Sequence, residues 1–260
     1  MNLESVMRLD YVNMQWMHPG GRDLTDRIAT KTELSKSKKV LDIGHGRGTT
    51  ALYWHEKFNC DITAIDIDPT MQQMANTAMK KKGVNSGRLK FQFGDALNLE
   101  FKDNTFDMVL NEGVFVIPDD PLKIAQEMHR VAKPGGYLVF HDIFIDERKQ
   151  DDVAFKQKVN EVYSIQTLTK YDFINIAQSA GFTDIYTEDW SGIQEYNKVT
   201  DQGGSKYMFS YKQKTKLVFN LIRDFGIRTT LDLLQQERFA TNAIKQKDMG
   251  HFLLIGKKGK

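Results

Sequence analysis

A short apolar run followed by closely spaced glycines constrains the fold of this chain more than any other feature. The run covers 39–43, and Gly44, Gly46 and Gly48 follow it at every second position. Glycine tolerates the positive φ angles of a tight turn and lets a ligand approach the backbone closely. From Thr49 the sequence has the character of a helix, whose first amides would point at that ligand. The pattern predicts a buried strand, a glycine turn and a helix around a nucleotide-like ligand.

The spacing of the glycines distinguishes between nucleotides. A dinucleotide fingerprint needs a glycine where this chain has Thr49, and a Walker loop needs a Gly-Lys-Ser/Thr ending that is missing. Asp42 stands two residues before Gly44, where its carboxylate can meet a cationic amine or, alternatively, cap the next helix. This Asp-x-Gly-x-Gly-x-Gly pattern resembles motif I of the class I methyltransferases that depend on S-adenosylmethionine (SAM).

Three further segments strengthen the resemblance. A second apolar run ends at Asp66, 22 residues after Gly44, and a third ends in Gly-Asp-Ala at 94–96. A fourth run ends around Asn111, and a Lys-Pro-Gly-Gly turn at 133–136 leads into a fifth. A carboxylate at the end of the second strand is suited to bind a ribose diol, and the resemblance implies this role for Asp66.

The resemblance also implies how the remaining cofactor contacts are shared. Ile67 would lie beneath the adenine, Asp95 would accept from its exocyclic amine, and the Ala96 amide would donate to the ring. In the phosphoethanolamine type, residues ahead of a Gly-Gly pair contact the methionine part of SAM, and these correspond to Met17 and His18. The cofactor-binding candidates are Met17, His18, Asp42, Gly44, Gly46, Asp66, Ile67, Asp95, Ala96 and Asn111.

The order of elements predicts the fold class. Strands and helices alternate over 39–190, which indicates an α/β fold with a Rossmann-like, doubly wound sheet. The resemblance implies seven strands, of which the last, at 251–256, is antiparallel. A helical insertion would then cross the carboxyl ends of the strands, where open α/β sheets bind ligands, as a candidate lid. The expected organisation is an N-terminal helical cap at 1–38, a SAM-binding core at 39–190 and 248–260, and the lid at 191–247.

Two features of the predicted helices have ordinary structural interpretations. Asp68 precedes Pro69 and an apolar helix rich in methionine, so we expect Asp68 to cap that helix and the methionines to pack in the core. In the insertion, aromatic residues either line an acceptor pocket or join the lid to the core. These aromatic residues are Tyr196, Tyr207, Phe209, Tyr211, Phe219 and Phe225.

Composition and charge disfavour several classes of function. The net charge is +2 without a sustained basic stripe, so we expect no nucleic-acid partner. The single cysteine, Cys60, excludes an intrachain disulfide and a cysteine-based metal cluster. No apolar run reaches the ~18 residues of a membrane span and no signal-peptide core is present, so we expect a cytoplasmic protein. The sequence does not indicate an oligomeric state.

Departures from the phosphoethanolamine type bear on the methyl acceptor. The resemblance extends over nearly the whole chain and implies the small-molecule branch, which includes phosphoethanolamine, sarcosine, quinone and sterol or terpene enzymes. The His, the phosphate-binding Tyr and the Arg of the phosphoethanolamine type correspond to Ile117, Ile143 and Glu161, which disfavours a phosphorylated acceptor. Glu112 and Glu161 would suit a cationic or hydroxylated acceptor, unless they are solvated or paired.

The expected reaction is an SN2 transfer of a methyl group from SAM to a small molecule, which leaves S-adenosylhomocysteine (SAH). The acceptor would be an amine, or a quinone-like or terpenoid-like carbon or oxygen. The protein then has to align the reactants and exclude water. The candidate bases, needed only if the acceptor must lose a proton, are His18, Glu112 and His141, although His141 could equally be a structural histidine. We expect no metal site.

Two other functions stay open at this point. One is a methyltransferase that acts on a protein or on tRNA. The other is a SAM-binding protein without activity, because Arg47 in the glycine loop and Ile117 leave catalysis without an obvious base.

Overall fold

The structure is a computed structural model that describes residues 1–7, 9, 16, 18–84, 87–191 and 211–260. The strands are β1 (Lys39–Ile43), β2 (Asp61–Asp66), β3 (Leu89–Phe93), β4 (Phe106–Glu112), β5 (Ala132–Ile145), β6 (Phe182–Asp189) and β7 (Met249–Lys258). The α-helices are α1 (Leu3–Met7), α2 (Gly21–Lys31), α3 (Thr49–Phe58), α4 (Pro69–Lys81), α5 (Pro121–Val131), α6 (Val153–Tyr163), α7 (Lys170–Ser179) and α8 (Tyr211–Lys245).

The strands form one seven-stranded sheet with the order β3-β2-β1-β4-β5-β7-β6. Pairs among the first five strands are parallel, whereas β7 runs antiparallel to both β5 and β6. The predicted doubly wound sheet with an antiparallel last strand is therefore confirmed. Parallel strands end at the same edge, so the turns that follow β1, β2, β3 and β4 all meet there.

The sheet is buried on both faces, which explains the continuous apolar runs of its strands. Successive side chains of a strand point to opposite faces. In β1, Val40 packs in the core on one face, and Leu41 and Ile43 pack in the core on the other. In β7, Leu253 and Leu254 divide between the two cores in the same way. This double burial holds the strand ends rigidly enough to position a ligand site.

Helix α4 begins with the cap that the sequence predicts. The Asp68 carboxylate accepts a hydrogen bond of 2.8 Å from the Thr70 amide, and Pro69 occupies the first turn. Met71 and Ala75 of this helix are buried, as expected for core positions. The structural interpretation of Asp68 is confirmed.

Helix α8 supplies most of the described part of the predicted insertion, and it is interrupted at Gly226, where φ is 82° and ψ is 164°. Leu221 and Leu233 of α8 form a small buried cluster with Val6 of α1. The expectation that aromatic residues of the insertion line a pocket or join the insertion to the core is wrong for Phe219 and Phe225, which are 67% and 41% exposed. Aliphatic side chains form the inner face instead. Tyr196, Tyr207, Phe209 and the side chain of Tyr211 lie outside the described residues.

Among the helices that the structure describes, none combines the length and the apolar character needed to cross a membrane.

Candidate active site

The glycine turn after β1 adopts the conformation that its sequence predicts. Gly44, Gly46 and Gly48 have φ angles of 76°, 52° and 77°. A side chain on Gly44 would bring its Cβ within 2.3 Å of Val114 Cγ2, so only glycine fits this position. The amide of Gly44 donates to the Ile65 carbonyl over 2.8 Å, which ties the turn to β2. The turn thus presents bare backbone to the cavity described below.

Asp66 at the end of β2 has a structural task as well as its predicted one. Its Oδ2 accepts from the Gly46 amide over 2.9 Å, and its Oδ1 accepts from the Asp68 amide over 2.9 Å. An ionised carboxylate has about four lone-pair positions, so both oxygens can still accept from a ligand hydroxyl. Asp66 therefore holds the glycine turn in place while facing the cavity, a role that the sequence analysis missed.

Asp42 and Asn111 lie at the base of the turn and carry buried polar atoms without a partner in the described structure. Asp42 is 3% exposed and Asn111 is 0% exposed. Neither Asp42 Oδ2 nor the two polar atoms of the Asn111 carboxamide has a hydrogen-bond partner. Burial, together with the carboxylates of Glu112 and Asp66, raises the pKa of Asp42 well above its usual value. Buried polar groups are nearly always satisfied, and Asp42 lines the cavity described below, so its unsatisfied oxygen fits the polar end of a bound cofactor. Asn111 does not line that cavity.

A cavity of about 500 Å³ collects the predicted adenosine contacts. Asp66, Ile67, Asp95 and Ala96 all line it. The Ile67 side chain is 63% exposed, as an apolar floor for a planar base would be. Asp95 Oδ1 accepts from the Leu97 amide over 2.9 Å, which orients the carboxylate at the turn after β3. The orphaned atoms and the glycine turn together fit SAM.

Of the two N-terminal residues expected to contact the cofactor, Met17 and His18, the structure describes only one. Met17 lies outside the described residues. His18 is 8% exposed and lines the cavity. Arg47, the unusual residue of the glycine loop, donates from Nη2 to the Leu9 carbonyl over 2.9 Å. Arg47 therefore links the glycine loop to the N-terminal segment.

His18, Glu112 and His141 converge from three separate elements. Glu112 Oε1 lies 3.4 Å from His18 Nδ1 and 3.8 Å from His141 Nδ1. One ligand-type atom from each residue lies within 4.8 Å of the other two. The rings of His18 and His141 meet edge to face with centroids 5.6 Å apart. The three candidate bases of the sequence analysis thus form one cluster, which we call the His-Glu-His cluster.

The members of the His-Glu-His cluster differ in how they are held. Thr50 Oγ1 donates to Glu112 Oε2 over 3.0 Å, and His18 Nδ1 donates to the Pro19 carbonyl over 3.1 Å. By contrast, Glu112 Oε1 and both ring nitrogens of His141 lack a hydrogen-bond partner among the described residues. The alternative interpretation of His141 as a satisfied structural histidine therefore has no hydrogen bond among the described residues to support it.

Burial dominates the electrostatics of this region. It lowers the pKa of His18 to about 4 and holds the pKa of His141 far below its usual range, with the neighbouring imidazoles of His18 and His251 adding to the shift. It raises the pKa of Glu112 to about 8, although the hydrogen bond from Thr50 acts in the opposite direction. Burial therefore disfavours the charged form of all three side chains of the cluster.

Asp142 and His251 belong to the same region and were missed by sequence reasoning. Asp142 is 2% exposed, and its Oδ2 accepts from the Phe115 amide over 2.8 Å. This bond holds the loop after β4, and burial raises the pKa of Asp142 to about 7. The His251 ring lies beside that of His141, with centroids 5.8 Å apart. His251 could have been found only from the pairing of β7 with β5.

Much of the remaining cavity wall is apolar, although α8 also brings Thr230, Glu237, Thr241 and Lys245 to it. Ile117 and Ile143, which the sequence analysis matched to polar residues of the phosphoethanolamine type, both line it. Glu161 does not line the cavity. This exposed glutamate forms an ion pair with Lys158 instead, with 2.7 Å between Glu161 Oε2 and Lys158 Nζ. The suggestion that Glu161 serves the acceptor is wrong. Other apolar lining residues come from α1 and α8, and they include Leu3, Val6, Leu217, Leu221, Leu233 and Ile244.

Comparison with known proteins agrees with this geometry. Residues 41–140 match a family model described as a methyltransferase domain. An uncharacterized protein of Haemophilus influenzae is 30% identical over 191 residues, which are 72% of this chain and 76% of that protein. Phosphoethanolamine N-methyltransferase of Plasmodium falciparum is 26% identical over 208 residues, which are 79% of this chain and 75% of that protein.

A solved structure resembles the whole described fold. It is phosphoethanolamine N-methyltransferase 2 of Haemonchus contortus in complex with phosphomonomethylethanolamine and S-adenosylhomocysteine. The TM-score is 0.79 at 18% identity, with 98% of this chain and 57% of that chain covered. At this identity the likeness shows the fold alone.

Proposed function

Because this chain belongs to the SAM-dependent methyltransferases that share the methyltransferase domain, we propose that it methylates a small, largely apolar molecule seated beside the His-Glu-His cluster. The observation that carries the proposal is the division of one cavity between a glycine turn with acidic strand ends and an apolar wall. The chain is an enzyme that uses SAM, and the proposal concerns which side chains hold the cofactor and what the acceptor is.

The cofactor half of the proposal follows the order of the strands. β1, β2 and β3 are neighbours on one side of the sheet, so Gly44, Asp66 and Asp95 follow consecutive strand ends. SAM supplies a methyl group that is already activated by the sulfonium charge. In our proposal Asp66 accepts from the ribose hydroxyls and Asp95 from the adenine amine. Asp42 takes the amino-acid end, since it lines the cavity and its buried oxygen needs a partner, whereas the buried Asn111 lies outside the cavity wall.

The acceptor half lies over the other side of the sheet. Glu112 ends β4 and His141 lies in β5, and these strands follow β1 in the sheet order. Helix α8 packs against β7 and α6, and α1 packs against α6 and α8. We assign the apolar wall from α1 and α8 to the acceptor, which makes 191–247 an acceptor-binding segment. The cap at 1–38 contributes His18 and the α1 residues.

The lining chemistry defines the class of acceptor. A phosphate needs cationic or hydroxyl partners, whereas Ile117 and Ile143 stand at the positions matched to the phosphoethanolamine type. The polar side chains that α8 adds to the wall are Thr230, Thr241, Glu237 and Lys245, so the single lysine there is accompanied by an acid. Burying one isoleucine side chain against an apolar ligand contributes ~1.5–3 kcal/mol. The acceptor is therefore mostly apolar and presents one nucleophilic nitrogen, oxygen or carbon to the His-Glu-His cluster.

The cluster aligns that nucleophile and can move a proton. Glu112 and His141 line the cavity, and Glu112 Oε1 and the His141 ring nitrogens have no hydrogen-bond partner among the described residues. An acceptor N–H or O–H can therefore donate to Glu112 Oε1 or to the unprotonated nitrogen of His141. Thr50 holds the other oxygen of Glu112, which keeps the carboxyl in one orientation. Holding the reacting atoms in line supplies much of the rate enhancement of such a transfer.

The experiment is an acceptor panel assayed by SAH formation. Purified enzyme and SAM are incubated with lipophilic amines, phenols and quinones, and in parallel with phosphoethanolamine, peptides and tRNA. We expect SAH to form only with members of the first group. Preferred turnover of phosphoethanolamine, a peptide or tRNA would contradict the proposed acceptor class, and SAH formation with no compound would favour a SAM-binding protein without activity.

A matched pair of variants tests whether turnover in the acceptor panel depends on the cavity wall. Ile143→Arg places a cation in the wall and should abolish turnover of the apolar acceptor. Val153→Arg changes an exposed valine, 66% accessible and outside the cavity wall, and should leave turnover unchanged. Equal loss in both variants would show that the assay reports stability and not the acceptor site.

A further inference from the structure

The His-Glu-His cluster has the composition of a metal-binding site. His18 precedes α2, Glu112 ends β4 and His141 lies in β5, so three rigid parts of the fold each contribute one ligand-type side chain. The side chains of His18, Glu112 and His141 are 9%, 7% and 1% exposed. Because the three residues lie far apart in the chain, no sequence spacing indicates a metal, and the sequence analysis expected none.

The unsatisfied atoms of the cluster require an explanation. Leaving a buried polar atom without a partner is unfavourable, and Glu112 and His141 contribute three atoms with no hydrogen-bond partner among the described residues. The carboxylate oxygen and an imidazole nitrogen are both lone-pair donors to a cation. Among the described residues no hydrogen bond reaches Glu112 Oε1, which lies between the imidazoles of His18 and His141.

We propose that His18, Glu112 and His141 together bind one divalent transition-metal ion, whose open positions take an oxygen of the methyl acceptor. The acceptor contact rests on the proposed function, whereas the metal site itself does not. Two imidazoles and one carboxylate on one side of an ion leave the remaining positions free for a substrate. The ion would act as a Lewis acid on the nucleophile and fix its position.

The ligand set selects the class of ion. Imidazole suits Fe²⁺, Co²⁺, Ni²⁺ and Zn²⁺, whereas Mg²⁺ and Ca²⁺ prefer oxygen ligands. Ligands bound at ~2.1 Å lie roughly 3.0–3.4 Å apart in octahedral or tetrahedral geometry. The observed separations of 3.4 Å and 3.8 Å from Glu112 Oε1 to the two imidazoles need only a small contraction.

Surrounding groups hold two of the three ligands. Thr50 donates to the second oxygen of Glu112, and Thr25 Oγ1 lies 3.4 Å from His18 Nε2. Such outer contacts orient metal ligands and tune their affinity. To bind through Nδ1, His18 would exchange its hydrogen bond to the Pro19 carbonyl for the ion.

The test measures ion binding by tag-free protein that has been stripped with a chelator. Co²⁺ is titrated and followed by its visible absorption, Zn²⁺ competes for the site, and bound metal is counted by mass spectrometry after gel filtration. We expect one ion per chain and no comparable binding of Mg²⁺. Wild-type protein that retains no Co²⁺ or Zn²⁺ in a one-to-one ratio would overturn the proposal, whatever the variants do.

Variants then locate the ion. His141→Gln and Glu112→Gln should weaken Co²⁺ binding by at least roughly a hundredfold, since changes in outer contacts alone cost about 10–100-fold. The controls are His129→Gln and Glu161→Gln, which change a partly buried imidazole and an exposed carboxylate outside the cavity wall and should bind Co²⁺ as the wild type does. Unchanged Co²⁺ affinity in His141→Gln would overturn the proposal.

Folding of each variant is checked by its SAH affinity and its thermal unfolding. Because Co²⁺ binding is measured without SAM or acceptor, its failure leaves the acceptor panel intact. The acceptor panel likewise has no bearing on the metal titration, so each experiment can contradict one proposal without contradicting the other.

Discussion

The two halves of the cavity are built in different ways. The half over β1, β2 and β3 uses residues that directly follow consecutive strands, and each lies in a short motif. The half over β4 and β5 combines a loop before α2, two strand ends, α1 and α8. Residues at the two ends of the chain, such as Val6 and Leu233, become neighbours there. A local motif can be recognised in a sequence, whereas a wall assembled from distant segments cannot.

This difference has a functional counterpart. If the halves serve different ligands, a change in one should leave the binding constant of the other ligand nearly unaltered. The predictions below are ordered by the size of the effect that separates the halves.

The largest expected effect comes from Glu112→Gln. This variant keeps the size of the side chain but removes a carboxylate from the His-Glu-His cluster, so we expect the turnover number to fall about 10²–10³-fold. SAH affinity, measured by calorimetry, should stay within about threefold because Glu112 belongs to the acceptor half. Glu161→Gln is the matched control and should keep full activity. An equal fall in SAH affinity would show that the halves are not separate.

The second effect lies in the cofactor half. Asp66→Ala removes the ribose acceptor and the partner of the Gly46 amide together, so SAH affinity should fall roughly 10–100-fold. Asp66→Asn retains one acceptor oxygen and should lose less. The Michaelis constant for the acceptor, measured at saturating SAM, should change little. Unaltered SAH affinity in Asp66→Ala would remove this residue from the site.

The third effect is smaller and concerns the apolar wall. Ile117→Ala removes part of a half-buried side chain that lines the cavity, so the Michaelis constant of the apolar acceptor should rise roughly tenfold. SAH affinity should be unchanged. A rise in the SAH dissociation constant with an unchanged acceptor constant would place the cofactor, and not the acceptor, against this wall.

The smallest effect separates binding from folding. Asp68→Ala removes the cap of α4 next to the cofactor half and should lower the free energy of unfolding by about 1 kcal/mol. Asp120→Ala removes the equivalent cap of α5, where the side chain accepts from the Lys123 amide, and should cost a similar amount. Neither variant should alter SAH affinity. Denaturant unfolding and calorimetry check both quantities.

The fold was predictable because its signals are local. Buried strands such as β1 appear in the sequence as apolar runs. The turn after β1 needs positive φ angles, and its glycines indicate them. Asp68 was recognised as a cap from its position before Pro69. The antiparallel last strand came from the family resemblance and not from its own residues.

The candidate site was predictable only residue by residue. Asp42, Asp66 and Asp95 lie at or just beyond the ends of strands, so each could be named, but the hydrogen bond between Asp66 and the Gly46 amide depends on tertiary contact. The convergence of the His-Glu-His cluster requires the sheet order, which places β4 beside β5. Aromatic residues of α8 looked suited to the pocket, yet aliphatic ones face inward because the helix phase decides burial and not the size of the side chain.

The most direct test of the two-half account is a crystal structure of the protein with SAH bound. The account predicts that the adenine lies at Asp95 and Ala96 and that the ribose hydroxyls donate to Asp66. The sulfur should point toward the His-Glu-His cluster, and the wall from α1 and α8 should remain clear of the cofactor. An adenine ring seated among Leu221, Leu233 and Ile117 would contradict the account.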